Sequence, residues 1–363
     1  MTVIESGRER LAFPWTDGVV STAAGDVPRV RAALSARDRL GTMRARWGIG
    51  RMNYQVAPGL YAVGTPDGRS PVLVSANYKM SFDVLRGVLP GRDAWILVLD
   101  TRGINVWCAA GKGTFGTDEI VRRVKEVGLE LIVSHRTLVV PQLGAPGVSA
   151  PDVRKRSGFR VEYGPVRAQD LPAFLDAGMK ASPDMRQVRF GARDRAVLIP
   201  VELMNGGKFA LLAAAVFLLL GGLGPHGYST AGVRAAGLPS GALILAAFLW
   251  SAVLGPLLLP WLPGRAFAVK GAVLGAVLAA GLVPVLRSMP AQALSPIHVA
   301  GWVLIIPAVA SFLVMGFTGS STYTSLSGVL QEMRYALPVQ IAAGAIGVGL
   351  WVVGLFVGGG TAS

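Results

Sequence analysis

The stretch "SPVLVSANYKMSFDVLRGVLPGRDAWILVLDT", residues 70–101, decides the fold of the N-terminal half of this 363-residue chain. Its two apolar runs, "SPVLVSAN" and "AWILVLDT", have the length and the continuous hydrophobicity of strands that are buried on both faces. The segment between them, "SFDVLRGVL", has apolar residues at helical spacing. A strand, a helix and a strand in this order predict a parallel sheet that is covered by helices.

The sequence on either side of this unit extends the same alternation. "PGLYAVG" (58–64) predicts a short strand, and residues 28–45 predict a surface helix. Downstream follow a helix over 117–127, strands at "LELIVSH" (129–135), "TLVVPQLG" (137–144) and "FRVEYGPV" (159–166), and a helix at "AQDLPAFLDAG" (168–178). We therefore predict an α/β domain with a Rossmann-like parallel sheet. Ligands of such sheets bind beyond the carboxyl ends of the strands, so the turns "SANYK", "TRGINVWCAAGKG", "SHRT" and "LGAPG" are expected to share one rim.

Charge is distributed unevenly along the chain. The protein carries a formal net charge of +14, yet only 15% of its residues are charged and 52% are hydrophobic. From residue 209 onward the charged residues are Arg234, Arg265, Lys270, Arg287, Glu332 and Arg334. The first half thus has the composition of a basic soluble domain, and the second half has that of a membrane domain.

Five apolar segments approach the roughly 20 residues that a membrane-spanning helix needs. They lie at about 208–224, 239–261, 266–286, 297–317 and 336–358. If the N-terminal half lies in the cytoplasm, the inner loops hold Arg265 and Arg334, in agreement with the positive-inside rule. We expect a multi-pass protein of the cell (inner or plasma) membrane with an all-α transmembrane domain of five helices. The hydroxyl-rich connection 317–335 is interpreted either as an ordinary polar loop or as a docking surface in the cytoplasm.

The segment "NVWCAAGK", residues 105–112, contains the only cysteine of the sequence. One cysteine excludes an intramolecular disulfide, and zinc and iron–sulfur sites need more thiolates than one. Gly111, Gly113 and Gly116 match the dinucleotide pattern G-x-G-x-x-G, but they lie too far beyond the preceding strand for the tight turn of that motif. A Walker A loop is excluded because Val106 stands at the position of its first glycine.

Three interpretations of Cys108 remain open. It is a buried packing residue, a nucleophile with His135 as its base, or a ligand to a metal that a macrocycle holds. The polar, glycine-bearing loop, the flat ring of Trp107 and the positive charge of Lys112 favour ligand binding over packing. A soft thiolate suits a borderline metal such as cobalt, and a single thiolate is enough for an axial ligand.

The motif "NVWCAAGK" resembles the cysteine motif of the mercury-methylating corrinoid proteins, the HgcA family. The similarity continues through "PVLVSANYKMSFDVLR", "AWILVLDTRGINVWCAAGKGTFGTDE", "SHRTLVVPQLGAPGV" and "SGFRVEYGPVRAQDLPAFL", over about residues 55–200. The apolar second half and the connection "TGSSTYTSLSGV" fit the same family. The domain is also similar to the corrinoid-binding domain of the corrinoid iron–sulfur protein, which lacks the membrane half and the cysteine ligand. The D-x-H-x-x-G motif of histidine-ligated corrinoid proteins does not occur in the sequence.

The resemblance implies a cofactor, partners and a set of residues. The cofactor is cobalamin or a related corrinoid, with Cys108 as the lower cobalt ligand on a helix that caps this face. A methyl-cobalt(III) corrinoid, loaded from a donor linked to methyltetrahydrofolate, passes its methyl group to Hg(II). A ferredoxin-like partner, HgcB, carries the [4Fe–4S] clusters and reduces the cobalt. The expected cofactor-binding residues are Asn105, Val106, Trp107, Cys108, Ala109, Ala110, Gly111 and Lys112, with Ser75, Asn77, Ser134, Thr137 and Gly144.

Four segments are expected along the chain. They are an N-terminal extension (1–50), a corrinoid-binding domain (51–195), a linker (196–208) and the transmembrane domain (209–363). The leading functional hypothesis is a methyltransferase that methylates mercury, without a nucleic-acid partner. Two alternatives stay open: a membrane-anchored corrinoid protein that relays methyl groups to a metabolic acceptor, and a corrinoid-binding subunit that stores or relays the cofactor.

Overall fold

Two compact units make up the chain in the computed structural model, which describes residues 13–288, 295–317 and 326–357. The division falls between Val188 and Arg189, and the short stretch Arg46–Gly48 groups with the second unit. The segment 196–208, expected as a linker, is largely helical because the helix Ile199–Leu220 already begins within it.

Among the described residues, a seven-stranded sheet forms the centre of the first unit. Its strands are β1 Thr16–Thr22, β2 Gly25–Val30, β3 Gly59–Val63, β4 Val72–Ala76, β5 Ala94–Leu99, β6 Thr137–Val140 and β7 Arg160–Tyr163. Their order in space is β1-β2-β3-β5-β4-β6-β7, and β5, β4, β6 and β7 run parallel. The predicted α/β fold with a mostly parallel sheet is confirmed. The departures are the antiparallel pairing of β3 with β5 and the β1–β2 hairpin.

The central strands are buried on both faces, which explains their continuous apolar sequences. Successive side chains of β5 point to opposite sides of the pleated sheet. Leu97 and Leu99 belong to the hydrophobic cluster on one face, whereas Ile96 and Val98 belong to the cluster on the other.

Helices pack on both of these faces in the first unit. They are α1 Ala36–Arg46, α2 Lys79–Arg86, α3 Val106–Gly111, α4 Thr117–Glu126, α5 Leu129–Ile132, α6 Ala150–Ser157 and α7 Leu171–Asp176. Short 3₁₀ turns lie at Arg51–Asn53, Gln142–Gly147, Ala168–Asp170 and Asp184–Arg186. Apolar residues of α2 and α7 join the cluster that holds Ile96, and those of α3, α4 and α6 join the cluster that holds Leu97.

Two predicted elements of the first unit are wrong. The segment "LELIVSH" is not a strand, because Leu129 and Val133 are buried four residues apart, at helical spacing, and the one-turn helix α5 results. The surface helix predicted over 28–45 begins only at Ala36, since the residues up to Val30 belong to β2. Gly25 has a φ of +116°, which suits the tight turn that joins β2 to β1.

A buried cluster of four charges holds α1 against α2. The Nζ atom of Lys79 lies 2.8 Å from Asp38 and 2.7 Å from Asp83. The guanidinium of Arg86 lies 2.9 Å from Asp38 and 2.8 Å from Asp83. Two positive and two negative groups balance, so no net charge is buried. The described residues of the N-terminal extension up to Ala45 are therefore an integral part of the first unit.

Acid is expected to weaken this cluster. Burial by itself raises the pKa of Asp38, but hydrogen bonds from Lys79 and Ser35 outweigh it and hold the pKa well below the ordinary value of 3.8. A lowered folded-state pKa stabilises the fold fully above the ordinary value, and this contribution is lost as the pH falls toward the folded-state pKa. Hydrogen exchange in α1, followed from pH 6 to pH 3, should show a loss of protection below about pH 4 that Asp38→Asn lacks. An identical pH profile in both proteins would refute this assignment.

Long apolar helices dominate the second unit. Its helices are α8 Ala192–Ala196, α9 Ile199–Leu220, α10 Thr230–Gly232, α11 Leu238–Leu258, α12 Phe267–Ser288, α13 Pro296–Gly316 and α14 Leu326–Val357. A π-helical turn at Val233–Gly237 and a two-residue hairpin, β8 Leu223–Gly224 with β9 Gly227–Tyr228, join α9 to α11.

Five helical segments of the described chain are long and apolar enough to cross a membrane. They are Ala192–Leu220, Thr230–Leu258, Phe267–Pro284, Pro296–Gly316 and Gly328–Val357. The five long apolar helices predicted from the sequence are confirmed. Residues 318–325, the centre of the hydroxyl-rich connection, lie outside the described residues, and so do residues 1–12 of the extension.

Candidate functional site

The helix α3 carries Cys108 and stands just beyond the carboxyl end of β5. Asn105 is the residue that starts it, with extended backbone angles, and its side-chain oxygen accepts a hydrogen bond from the backbone N–H of Cys108 at 3.0 Å. Asparagine is among the best residues for this capping role, because it satisfies an amide that has no partner inside the helix. The asparagine of the motif thus positions the cysteine through its backbone.

The two faces of α3 differ sharply. Ala109 and Ala110 are buried and belong to the hydrophobic cluster above the sheet. Trp107, Cys108 and Lys112 face outward, and Cys108 is a free, exposed thiol. The alanines of α3 thus face the core and Cys108 faces outward, so the interpretation of Cys108 as a buried packing residue is wrong.

Open space adjoins the outward face of α3. A Cβ atom on Gly111 or on Gly113 would meet no atom within 4 Å, apart from its immediate chain neighbours and, for helical Gly111, the adjoining helix backbone. Gly113 has a φ of +77°, which lets the chain leave α3 sharply and turn toward α4. No other part of the described chain packs against these two glycines.

The inner side of α3 rests on the 3₁₀ turn Gln142–Gly147 that follows β6. A Cβ atom on Gly147 would lie 2.2 Å from the carbonyl oxygen of Phe115 and 3.1 Å from the Cα atom of Ala110. A Cβ atom on Gly144 would lie 2.4 Å from the ring of Phe115. These two glycines allow the close backbone approach that seats the helix. Gly144, predicted to bind the cofactor, is itself buried beneath Phe115.

Asn77 ties together the loops after β4 and β5. Its side-chain oxygen accepts hydrogen bonds from the N–H and the hydroxyl of Thr101 at 3.1 and 2.8 Å, and from the N–H of Gly103 at 2.9 Å. Its amide nitrogen lies 3.4 Å from side-chain oxygens of Gln55 and Asp100. Asn77 thereby fixes the chain that leads into Asn105 and Cys108. Ser75 is also buried, and its hydroxyl donates to the carbonyl of Ala76 at 3.4 Å.

The predicted residues Ser134 and Thr137 lie at the amino ends of the parallel strands, opposite to the end that carries α3. Ser134 donates its N–H to the carbonyl of Gly68 at 2.8 Å, and a ring nitrogen of His135 lies 2.9 Å from the carbonyl oxygen of Ser70. Both carbonyls precede β4, so this loop stands at the amino ends of the parallel strands. The expectation that "SHRT" shares the rim with the cysteine is therefore wrong, as is His135 as a base for Cys108.

No group of three or more His, Cys, Asp or Glu side chains is placed to hold a metal ion anywhere in the described ranges. Sequence reasoning missed Gln55, and it placed Thr101 and Gly147 in rim loops without their roles in positioning α3. In the sequence, the small-residue run "GAPG" (144–147) was the signal for the two glycines that lie beneath α3.

Residues 43–175 match the family model of the CO dehydrogenase/acetyl-CoA synthase delta subunit. This stretch spans β3 to β7 and contains α3 with Cys108, and it ends before the apolar helices. Subunit gamma of the acetyl-CoA decarbonylase/synthase complex of Methanopyrus kandleri is 36% identical over 124 residues, 34% of this chain and 26% of the relative. The subunits gamma of Methanothermobacter thermautotrophicus and Archaeoglobus fulgidus are 32% identical over 123 residues and 30% identical over 128 residues. These alignments cover 33% and 35% of this chain, and 26% and 27% of the two relatives.

The chain thus spans about a quarter of the length of the curated relatives that it matches. The candidate site lies within residues 43–175, the range that matches the family model.

Loss of the Asn105 cap is expected to loosen the helix that carries Cys108. Replacing a capping asparagine by alanine costs about 1 kcal/mol, which corresponds to a roughly fivefold faster opening of the helix. Hydrogen exchange of the amides of residues 106–112 in Asn105→Ala measures this change directly. Asn105→Ser is the matched control, since serine caps nearly as well and should keep wild-type protection. Equal exchange in all three proteins would contradict the positioning role.

Proposed function

We propose that the first unit binds a cobalt corrinoid against α3, with the Cys108 thiolate as the residue that would hold its cobalt. The observation that carries this proposal is an exposed, free thiol on a capped helix at the carboxyl edge of a parallel sheet, with open space beside it. The donor set fits, because one soft sulfur suffices when a macrocycle supplies the other ligands.

The residues around the thiol have separate tasks in this proposal. Asn105 holds the backbone amide of Cys108 and thereby the direction of its side chain. Asn77 and the glycines at 144 and 147 hold the helix in place from below. Trp107, 39% exposed, offers a flat apolar surface for a macrocycle, and Lys112 offers a positive charge for its acidic side groups. Ser75 supports the adjacent loop, and Val106 helps to anchor α3 to the core.

Methyl transfer to Hg(II) is the reaction that we propose for this site. When bound, the corrinoid supplies a cobalt centre that carries the methyl group. The Cys108 thiolate would make a bound metal more electron-rich than a neutral ligand would, which suits methyl transfer to an electrophile. Hg(II) is such an electrophile, and it enters as the substrate. The methyl donor is linked to methyltetrahydrofolate, and a ferredoxin-like [4Fe–4S] partner of the HgcB type supplies electrons.

A metabolic methyl acceptor is the second candidate, and the comparisons favour it. The relatives are subunits of complexes named for acetyl-CoA decarbonylation and synthesis. Removing the carbonyl group from an acetyl group leaves a methyl group, so such complexes must move methyl units. In this alternative the chain relays methyl groups to an organic acceptor at the same site.

The five apolar helices support a multi-pass location in the cell membrane, with the first unit in the cytoplasm.

Methylation assays with the purified full-length protein, a methyl donor, a ferredoxin and a reductant distinguish the two acceptors. Formation of methylmercury at a rate that depends on Cys108 supports the first candidate. Transfer to an organic acceptor without methylmercury supports the second.

Corrinoid binding can be tested independently of any acceptor. The full-length protein in detergent, incubated with cobalamin and passed through gel filtration, is expected to retain the visible absorption bands of the corrinoid. In Cys108→Ala the bands should shift, because the sulfur-to-cobalt charge transfer is lost, while binding persists through the remaining contacts. A colourless wild-type protein with intact secondary structure would exclude the proposed cofactor.

A further inference from the structure

A cavity of about 650 Å³ opens in the second unit beside the start of α12. Arg265, Ser311, Glu332 and Gln340 are polar groups of its lining, and Phe267 is one of the apolar groups. The cavity thus joins charged and amide groups to an apolar wall. It lies in the unit of apolar helices and has no part in the corrinoid proposal.

Gln340 leaves one buried hydrogen-bond acceptor without a partner. The residue is only 8% exposed, and its amide nitrogen donates to the hydroxyl oxygen of Ser311 at 2.8 Å. That hydroxyl in turn donates its single proton to the carbonyl of Ala268 at 2.8 Å, so it cannot also donate to Gln340. With the amide nitrogen on Ser311, the side-chain oxygen of Gln340 finds no donor among the described residues. A buried acceptor of this kind needs a donor from a bound molecule.

The same cavity also offers charged groups to a ligand. Arg265 is exposed there and pairs with no carboxylate of the described ranges, so it is available to an anion. Glu332 accepts a hydrogen bond from the backbone N–H of Ala268 at the start of α12. Lys270 donates to the carbonyls of Leu259 and Leu262, which holds the turn that carries Arg265.

The cavity lies near the ends of two of the apolar helices, α12 and α13. Ala268 lies in the first turn of α12, and Ser311 lies near the end of α13. The ends of spanning helices stand at the membrane interface, where phospholipid headgroups are found. An anion, a hydrogen-bond donor and an apolar tail occur together in a phospholipid with an amine or hydroxyl headgroup.

We propose that this cavity binds one such phospholipid, with its phosphate at Arg265 and its headgroup N–H or O–H donor at the side-chain oxygen of Gln340. The amine of phosphatidylethanolamine and the hydroxyls of phosphatidylglycerol share this chemistry. The trimethylated headgroup of phosphatidylcholine carries the same phosphate but no donor, so it leaves the Gln340 oxygen without a partner.

Native mass spectrometry of the full-length protein in detergent, titrated with each of the three lipids at equal chain length, tests the proposal. Wild-type protein is expected to bind at least one of the two donor lipids about tenfold more tightly than phosphatidylcholine. The two donor lipids, compared with each other, show whether the amine or the hydroxyl is preferred. Equal affinity for all three lipids would overturn the proposal and would mean that water satisfies Gln340.

Two variants test separately how much Gln340 and Arg265 contribute to lipid binding. Gln340→Met should lower the affinity for the donor lipids to the level of phosphatidylcholine. Arg265→Gln should lower the affinity for all three lipids by the same factor. Arg234→Gln, an exposed arginine outside the cavity, is the matched control and should change none of them. Unchanged lipid preference in Gln340→Met with an intact helical spectrum would also overturn the assignment, and the comparison within the wild-type protein stands without any variant.

Discussion

Cys108→Ala is expected to abolish methyl transfer to Hg(II), with a loss of more than about 100-fold, because even residues that only support a metal ligand change activity by about 10–100-fold. The fold should persist, since the side chain is exposed and the helix that carries it is anchored by buried Ala109 and Ala110. The measurement is the initial rate of methylmercury formation by the full-length protein, with circular dichroism as the control for folding.

Two further substitutions separate ligation from electron donation. Cys108→His should keep a cobalt ligand, because imidazole binds cobalt, but should transfer more slowly, because imidazole donates less charge than a thiolate. Cys108→Ser should bind the corrinoid and transfer poorly, because a hydroxyl is a harder and rarely ionised ligand. A rate in Cys108→Ala equal to wild type would remove the ligand role. If excess cobalamin restored the rate of Cys108→Ala to the wild-type value, the thiol would serve only to anchor the corrinoid.

Asp83→Ala is expected to destabilise the first unit by about 3–5 kcal/mol, the usual cost of removing one partner from a buried ion pair. Asp83 accepts hydrogen bonds from Lys79 at 2.8 Å and from Arg86 at 2.8 Å, and all three side chains are almost fully buried. Without Asp83, Asp38 alone faces two buried positive charges. Hydrogen exchange of peptides that cover β4 and β5 in the full-length protein measures the change.

A matched surface pair provides the control for this prediction. Arg29 and Asp17 lie 2.9 Å apart and are both well exposed, so Asp17→Ala should cost at most about 1 kcal/mol. If the two substitutions destabilised the unit equally, the buried cluster would not hold the N-terminal extension in place. The expected difference is large because water screens the surface pair and cannot reach the buried one.

Cys108 shows how far sequence reasoning reaches into the candidate site. The residues around the cysteine favoured ligand binding over packing, and the resemblance implied that Cys108 lies on a helix; the exposed cysteine of α3 agrees with both. Asn77 was expected to contact the cofactor, whereas its three accepted hydrogen bonds hold the loops before α3. Those partners are far apart in sequence, and short-range pattern carries no information about them.

Local pattern was enough for the buried strands β4 and β5 and for the five apolar helices, because burial on two faces and the thickness of a bilayer each require a continuous apolar run. Pattern was not enough for "LELIVSH", since a short apolar run is compatible with either a strand or a helix. Because this segment was predicted to be a strand, Ser134 and Thr137 were expected at the carboxyl ends of the parallel strands, whereas they lie at the amino ends. The order of the strands, the two glycines beneath α3 and the balanced charges around Asp83 depend on contacts between distant segments. These features became determined only when the chain was packed, because close approach and charge pairing are properties of neighbours in space.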